Sequence, residues 1–518
     1  MIYYHICLVL TICYFSLLVY LLTRVLKSKN RLMLSIIVCL ALTILFKFDF
    51  GITFFGLEYE DAYSFSAFAR QINHKIYPSS FRIDCISIGS LNNPQEVVTY
   101  GGHFISYSTF ISIFTQLFGF SPQIVSCINS LISFIILLIL SSITSSKYKY
   151  WWILIPVIYC IAPIINVFNN AFLAESYSSL LCVSFLWAYN FYHKDKSSRF
   201  RIFCLIAFFM AILCKRENFI LLIVPILYNL KSFNKRNLKT LFIETITYVV
   251  CCVVFILFIH NIFMTEIEEA NDIHNSTFSF DYFKALAPIF IKSLITLNYF
   301  SVSFFVWLFF IGFIFLKKRT YTKPQIVYIG LFICYFLLYT FHYRGYYFTL
   351  GKESVSEFET FRYLNNFYFL IPVFFATIDF STFLKKAYLK LCMIGLVFIT
   401  VLSFTNTISL RKHLSEVEYE SRIGDNAIIE HIITNSNNYP NTILITSTEL
   451  VNLNTCPPDF NICSILSINK LNLNLKNMDY YIYEDDWKTI KERFGIDLTI
   501  YELKEVCVLK SGRKLYKL

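Results

Sequence analysis

Two adjacent carboxylates, Glu60 and Asp61, are the residues of this sequence best suited to acid–base chemistry. They belong to the stretch EYEDAYSFSAFAR, which begins at Glu58 and follows a strongly apolar region. A positioned carboxylate can accept the proton of an attacking hydroxyl group. The alternative is a solvated helix end, because acidic side chains near the N-terminus of a helix complement its dipole. The stretch therefore predicts a general base, with Glu60 and Asp61 both open as candidates.

Three basic residues are candidates for contacts with a phosphate group. Lys215 and Arg216 open the stretch KREN, and Arg362 lies in FETFRY. The planar guanidinium fork suits phosphate, and charges close to hydrocarbon are functional by default. The alternatives are ion pairing within an outer turn for KREN, and a pair between Arg362 and Glu359 one turn earlier.

Three further residues are candidates for substrate binding. Tyr63 follows the acidic pair, His103 follows two glycines, and Glu175 stands at the start of a predicted helix. His103 could also be an ordinary loop residue, and Glu175 could be a partner of the helix dipole. The two acids together with His103 or Glu175 could bind a divalent cation through oxygen ligands. The spacing does not require a metal, and no other cofactor is predicted.

The elements that must position these residues lie in a membrane. The chain has 518 residues, of which 56% are hydrophobic and 15% charged, against about 25% charged in soluble domains. The net charge of +11 comes from short basic clusters between apolar runs, which is typical of membrane orientation and not of nucleic-acid binding. The apolar runs predict about twelve transmembrane helices. These cover residues 2–24, 32–50, 122–143, 151–168, 176–193, 201–214, 219–230, 240–263, 299–316, 325–341, 366–380 and 391–410.

The charges of the connecting segments predict an orientation. Short basic segments alternate with longer segments that carry the acids. The positive-inside rule assigns the basic set to the cytoplasm. The segments 51–121, 265–298 and 342–365, and everything after 410, then face outward. KREN is interpreted as a break between two short helices, because one continuous helix would move every later connecting segment to the opposite side of the membrane.

The fold class expected from these patterns is an all-α polytopic membrane protein with two outer elements. Residues 1–50 form N-terminal transmembrane helices, and 51–121 form a large first extracytoplasmic loop with interfacial helices and the acidic motif. Residues 122–410 form the transmembrane core. The polar tail, 411–518, alternates β-like runs with a helix near 485–494 and predicts a small extracytoplasmic α/β domain. Cys456 and Cys463 in this tail could form a disulfide if it is extracytoplasmic.

The order of these motifs resembles the GT-C glycosyltransferases, which take sugars from polyprenyl-phosphate carriers. The protein O-mannosyltransferases and the lipid A aminoarabinose transferases are among them. The resemblance rests on the acids before Ala62 and Tyr63, on GGHFISYSTFISIFTQLFGFSP, and on NNAFLAESYSSLL, CKRENFILLIVP and FETFRYLNNFYFLIP. It covers roughly residues 50–375. Glu60 stands where Asp is usual in many bacterial members.

The resemblance implies an inverting glycosyltransferase that moves a sugar from a polyprenyl-phosphate carrier to a hydroxyl of a lipid, glycan or protein. It assigns Glu60 or Asp61 as the base, and Lys215, Arg216 and Arg362 as contacts of the donor phosphate. The composition favours a bacterial inner membrane with the active site facing the exterior. The alternatives are an O-antigen-type polymerase or ligase and, from another class, a flippase or transporter, which would be expected to show an internal repeat.

Overall fold

The computed structural model describes most of the chain. The described residues are 1–26, 29–48, 60–143, 151–169, 173–229, 242–254, 279–295, 303–317, 320–341, 346–349, 352–355, 363, 365–378, 394–412, 432–434, 441–446, 457–471, 478–508 and 514–518. They divide into two compact units. The first unit combines Met1–His5, Thr53–Ile124 and Lys412–Leu518, and the second combines Ile6–Ile52 and Val125–Arg411.

The residues of the second unit that the structure describes form helices and one short hairpin of β3 and β4 (Tyr346–Thr349 and Lys352–Val355). Its helices, with α1 and α5 beginning just outside it, are α1 Ile2–Val25, α2 Lys29–Leu42, α5 Pro122–Ile143, α6 Trp151–Cys160, α7 Pro163–Phe168, α8 Ala174–Asp195, α9 Ser198–Cys214, α10 Ile223–Asn229, α11 Phe242–Val254, α12 Phe280–Ile295, α13 Ser303–Leu316, α14 Lys323–Phe341, α15 Leu370–Ala376 and α16 Ile394–Lys412.

Helices occupy all twelve segments that the sequence predicts as spans. Within the described part of the chain, four of them are long and apolar enough to cross a membrane: α1, α5 without its first residue, α14 and α16. The predicted span 151–168 is two helices, because the chain is extended at Ala162 before Pro163. The chain is thus an integral membrane protein, and the count of twelve spans stays a prediction. Helix α12 lies in a segment that the sequence analysis gave to an outer loop.

The stretch KREN separates two helices, as expected. Helix α9 ends at Cys214, and Lys215 is extended with φ −147° and ψ 129°. A 3₁₀ helix, Arg216–Leu222, then leads into α10. A 3₁₀ turn inside a run of helix often marks a functional or strained position.

Among the described residues, the first unit contains a seven-stranded sheet and α-helices that pack with it. Its helices are α3 Glu60–Asn73, α4 Ser106–Phe118 and α17 Glu484–Phe494, and its strands are β1 Arg82–Gly89, β2 Pro94–Phe104, β5 Thr442–Thr446, β6 Asn461–Ser464, β7 Asp479–Tyr483, β8 Lys504–Val508 and β9 Lys514–Lys517. The strand order is β2-β1-β6-β5-β7-β9-β8. Strand β5 pairs in parallel with β6 and β7, and the other pairs are antiparallel.

This sheet differs from the expected α/β domain of residues 411–518 alone. Strands β1 and β2 come from the segment predicted to hold interfacial helices, and β1 joins β6 through Ile88 and Gly89. Ile88 enters the same apolar core as Ile445, Ile482 and Ile490 of the tail. Burial of this shared core stabilises the sheet, since each fully buried aliphatic side chain contributes about 1.5–3 kcal/mol. The predicted domain boundaries stay a prediction.

Candidate functional site

Helix α3 presents the acidic motif at its first turn. The helix begins at Glu60, and it buries Phe65, Phe68 and Ile72 to 1% exposure or less, which agrees with the amphipathic helix that their spacing predicts. Ser108 of α4 donates a hydrogen bond to the carbonyl of Phe65 at 3.0 Å. Packing therefore fixes the helix that carries the two acids. The side chains of Glu60, Asp61 and Tyr63 are outside the described part of the chain.

Two other predicted residues also fall outside it, wholly or in part. Arg362 lies outside the described residues altogether. His103 has a described backbone and no described side chain. Its backbone belongs to β2, so His103 is on a strand and not in an ordinary loop. Cys456 is not described, and the proposed disulfide with Cys463 stays a prediction.

Lys215 and Glu175 form a buried ion pair. The ammonium Nζ of Lys215 lies 2.7 Å from Oε1 of Glu175, and the two side chains are 10% and 1% exposed. Glu175 is in the first turn of α8, and Lys215 is the extended residue after α9. From the sequence, Lys215 was predicted to bind the donor phosphate and Glu175 to bind substrate. The structure brings them together, because the break at KREN turns Lys215 back toward the start of α8.

The residues that follow Lys215 divide between the surface and the interior. Arg216 is exposed, and Asn218 is 1% exposed. The amide of Asn218 donates to the Ser178 hydroxyl and the Ala211 carbonyl at 2.8 Å each, and its oxygen accepts from Tyr335 at 3.0 Å. Asn218 thus ties α8, α9 and α14 together. Asn218 was not among the predicted site residues, although it belongs to the same KREN stretch.

Lys47 is a buried lysine that was not among the predicted site residues. It ends a π-helical turn, Thr43–Lys47, that continues α2, and its exposure is 0%. Its ammonium lies 4.4 Å from the ring centroid of Tyr159. The Arg411 guanidinium donates to the carbonyls of Phe46 and Phe48 on either side of it. The signal was present in the sequence, because a lysine inside an apolar run is expensive and marks a function by default.

Metal binding is not indicated by the described side chains. Among them, no three His, Cys, Asp or Glu residues come close enough to hold an ion. The acids of α3 and His103 are not in that set, so the predicted choice between a metal-free and a divalent-cation site stays open.

Comparisons with known proteins identify the fold. No protein-family profile matches the sequence, and no curated protein matches it. Two solved structures of ArnT from Cupriavidus metallidurans are similar along nearly the whole chain. The apo form is 12% identical with a TM-score of 0.59, the form bound to undecaprenyl phosphate is 11% identical with a TM-score of 0.56, and each match covers 95% of this chain and 98% of ArnT.

A second kind of transferase is similar as well. The structure of the Archaeoglobus fulgidus oligosaccharyltransferase in complex with Zn and sulfate is 11% identical, with a TM-score of 0.53 over 94% of this chain and 72% of that protein. At these identities the likeness establishes the architecture of the chain. The chain shares the fold of ArnT and of the oligosaccharyltransferase.

Proposed function

We propose that this chain is an inverting glycosyltransferase that uses a polyprenyl-phosphate sugar. The acceptor is a hydroxyl group of a lipid, a glycan or a protein at the outer face of a bacterial inner membrane. The observation that carries the proposal is the fold, since ArnT with undecaprenyl phosphate bound matches 95% of this chain. The start of helix α3 at Glu60 supports it, because the helix holds the acidic pair on a packed element.

In the proposed reaction, a hydroxyl oxygen of the acceptor attacks the anomeric carbon of the donor sugar. The bond from that carbon to the phosphate oxygen breaks, and the carrier phosphate leaves with the electron pair. Glu60 or Asp61 accepts the hydroxyl proton as general base. One displacement at the anomeric carbon inverts its configuration.

The leaving phosphate gains charge, and cations stabilise it. Lys215, Arg216 and Arg362 are assigned to this role. Glu175 positions Lys215 through the ion pair of 2.7 Å, so Glu175 acts through Lys215 and not on the sugar.

The test is mass spectrometry of envelope lipids and surface glycans. Cells would carry the wild-type protein, a deletion, or Glu60→Gln/Asp61→Asn at matched protein level. The proposal expects one sugar mass to disappear in both the deletion and the double variant. A wild-type profile in the double variant would contradict the assignment of Glu60 or Asp61 as the general base. A deletion that lengthens or shortens glycan chains without the loss of one sugar would favour the polymerase reading.

A further inference from the structure

A cavity opens in the first unit at the end of the helix that carries the acidic pair. Its volume is about 410 Å³, within the range of about 300–1,000 Å³ typical of small-molecule sites. One wall is the last turn of α3, with Asn73 and His74 among its residues. The other is the last turn of α4 and the segment after it, with Thr115 and Gln116. The cavity therefore lies between two packed helices that hold its shape.

The side chains of this cavity match a ligand rich in hydroxyl groups. Amides and a neutral imidazole each offer both a donor and an acceptor, and the Thr115 hydroxyl does the same. No carboxylate and no aliphatic side chain is among the lining residues that the structure describes. The described lining therefore lacks the carboxylate oxygens that bind hard cations and the aliphatic side chains that hold a lipid tail.

The two amides are set in place by hydrogen bonds. The Asn73 amide donates to the Thr115 hydroxyl at 3.1 Å, and its oxygen accepts from the same hydroxyl at 3.3 Å. The Gln116 amide donates to the Tyr4 hydroxyl at 3.2 Å. An Asn or Gln side chain can make about four hydrogen bonds, so each amide keeps capacity for a ligand. Polar groups fixed in advance lose little conformational entropy when they bind.

An aromatic ring completes the lining. Gly119 has φ 81° and ψ 163°, a backbone region that is essentially restricted to glycine. This turn ends α4 and precedes Phe120. The Arg70 guanidinium lies 5.8 Å from the centroid of the Phe120 ring. A ring beside planar polar groups is suited to pack against the C–H face of a sugar.

The charge of the cavity favours a sugar over a simple anion. Arg70 is cationic, and on its own it would attract phosphate. Helices α3 and α4 both end at the cavity, and each helix C-terminus carries a partial negative charge of about half a unit. The partial negative charge of these carbonyl ends offsets the positive charge of the guanidinium.

We propose that this cavity binds a sugar unit of a glycan acceptor. The inference rests on the proposed function and narrows its acceptor from lipid, glycan or protein to glycan. Asp61 and Arg70 lie on the same helix, about 13 Å apart along its axis at 1.5 Å per residue. That separation is longer than one sugar ring. The attacking hydroxyl therefore belongs to one sugar, and the cavity holds another unit of the same chain.

The test is binding measured by saturation-transfer NMR on the full chain, in a detergent without a sugar headgroup. The probe is the mixture of oligosaccharides released from the surface glycans of a deletion strain. The wild-type protein and the Glu60→Gln/Asp61→Asn variant should both bind. Gln116→Ala and Arg70→Met should each bind at least tenfold more weakly. The control is Leu117→Ala, which is next to Gln116, 73% exposed and outside the lining, and should bind as the wild type does.

Three results would overturn the inference. They are no binding by the wild-type protein, equal binding by the Gln116→Ala and Arg70→Met variants, or displacement of the oligosaccharides by inorganic phosphate at similar concentration. Transfer is scored separately from the sugar masses of intact cells. Binding without loss of a sugar mass in the Glu60→Gln/Asp61→Asn variant would remove the proposed function and leave the cavity a glycan site.

Discussion

Substitutions at the ion pair between Lys215 and Glu175 should distinguish its contribution to stability from the contribution of Lys215 to sugar transfer. Removing one partner of a buried pair costs about 3–5 kcal/mol, because it leaves an uncompensated buried charge. With the two side chains 10% and 1% exposed at 2.7 Å, we expect Lys215→Met and Glu175→Leu each to lower the free energy of unfolding by that amount. Replacing a buried pair by apolar residues of similar volume is often neutral. The Glu175→Leu/Lys215→Met variant should therefore recover most of the loss, to within about 2 kcal/mol of the wild type.

The assay is SDS-induced unfolding of the purified protein in mixed micelles, followed by tryptophan fluorescence. The matched control is Lys284→Met, whose partner Asp281 is 3.1 Å away in an exposed pair. Its cost should stay below about 1 kcal/mol. In the mass-spectrometric assay, the stable double variant should still fail to transfer sugar, because the phosphate loses the cation. Single costs that simply add in the double variant would refute the buried-pair reasoning, and full transfer by that variant would refute the role of Lys215.

Three further changes test other parts of the structure. Asn218→Leu should lower the free energy of unfolding by about 1–3 kcal/mol, because buried hydrogen-bonding groups on three helices lose their partner; the Ser178→Ala variant, which removes only one contact of Asn218, should cost less in the same SDS assay. Gly89→Ala should destabilise the first unit, because φ is 112° and the new Cβ would lie 2.5 Å from a backbone oxygen; unchanged protease resistance of the β1–β2 hairpin would contradict this. Burial, and then the charge of Arg70, lower the pKa of His74 below 6.5. The folded state therefore binds this proton less readily than the unfolded state, and stability should fall as the pH drops below about 6.5. The His74→Gln variant should lose that part of the pH dependence in thermal unfolding measured between pH 5 and 8.

Helix positions were predictable where the signal is local. The period of Phe65, Phe68 and Ile72 predicts α3, and the structure buries those residues. The break at KREN followed from charge and parity, and α9 ends at Cys214. In both cases the sequence within one segment contains the physical cause, which is apolar periodicity or the expense of charge in hydrocarbon.

Contacts between segments that are distant in the sequence were not predictable. The segment that forms strands β1 and β2 was not predicted to form strands. The side chains that bury Ile88 come from the far end of the chain, so the segment alone does not indicate its partner. The pair of Glu175 with Lys215 depends on how α8 and α9 pack, which periodicity does not report. Lys47, in contrast, could have been predicted from its own segment, because a lysine inside an apolar run is unusual. It was overlooked among the apolar residues around it.

Strand β1 can pair with β6 only after the ribosome has synthesised β6. The two strands meet at Ile88↔Cys463 and Gly89↔Ile462, and the residues between them include nearly all the helices of the second unit. At about 5–20 residues per second, the β1–β2 hairpin waits roughly 20–70 s for its partner strand. During that interval the edge of β1 is a template for pairing with any extended chain. The nascent protein is therefore most vulnerable to aggregation before its last fifth has been made, and its yield should depend on chaperones that cover this edge.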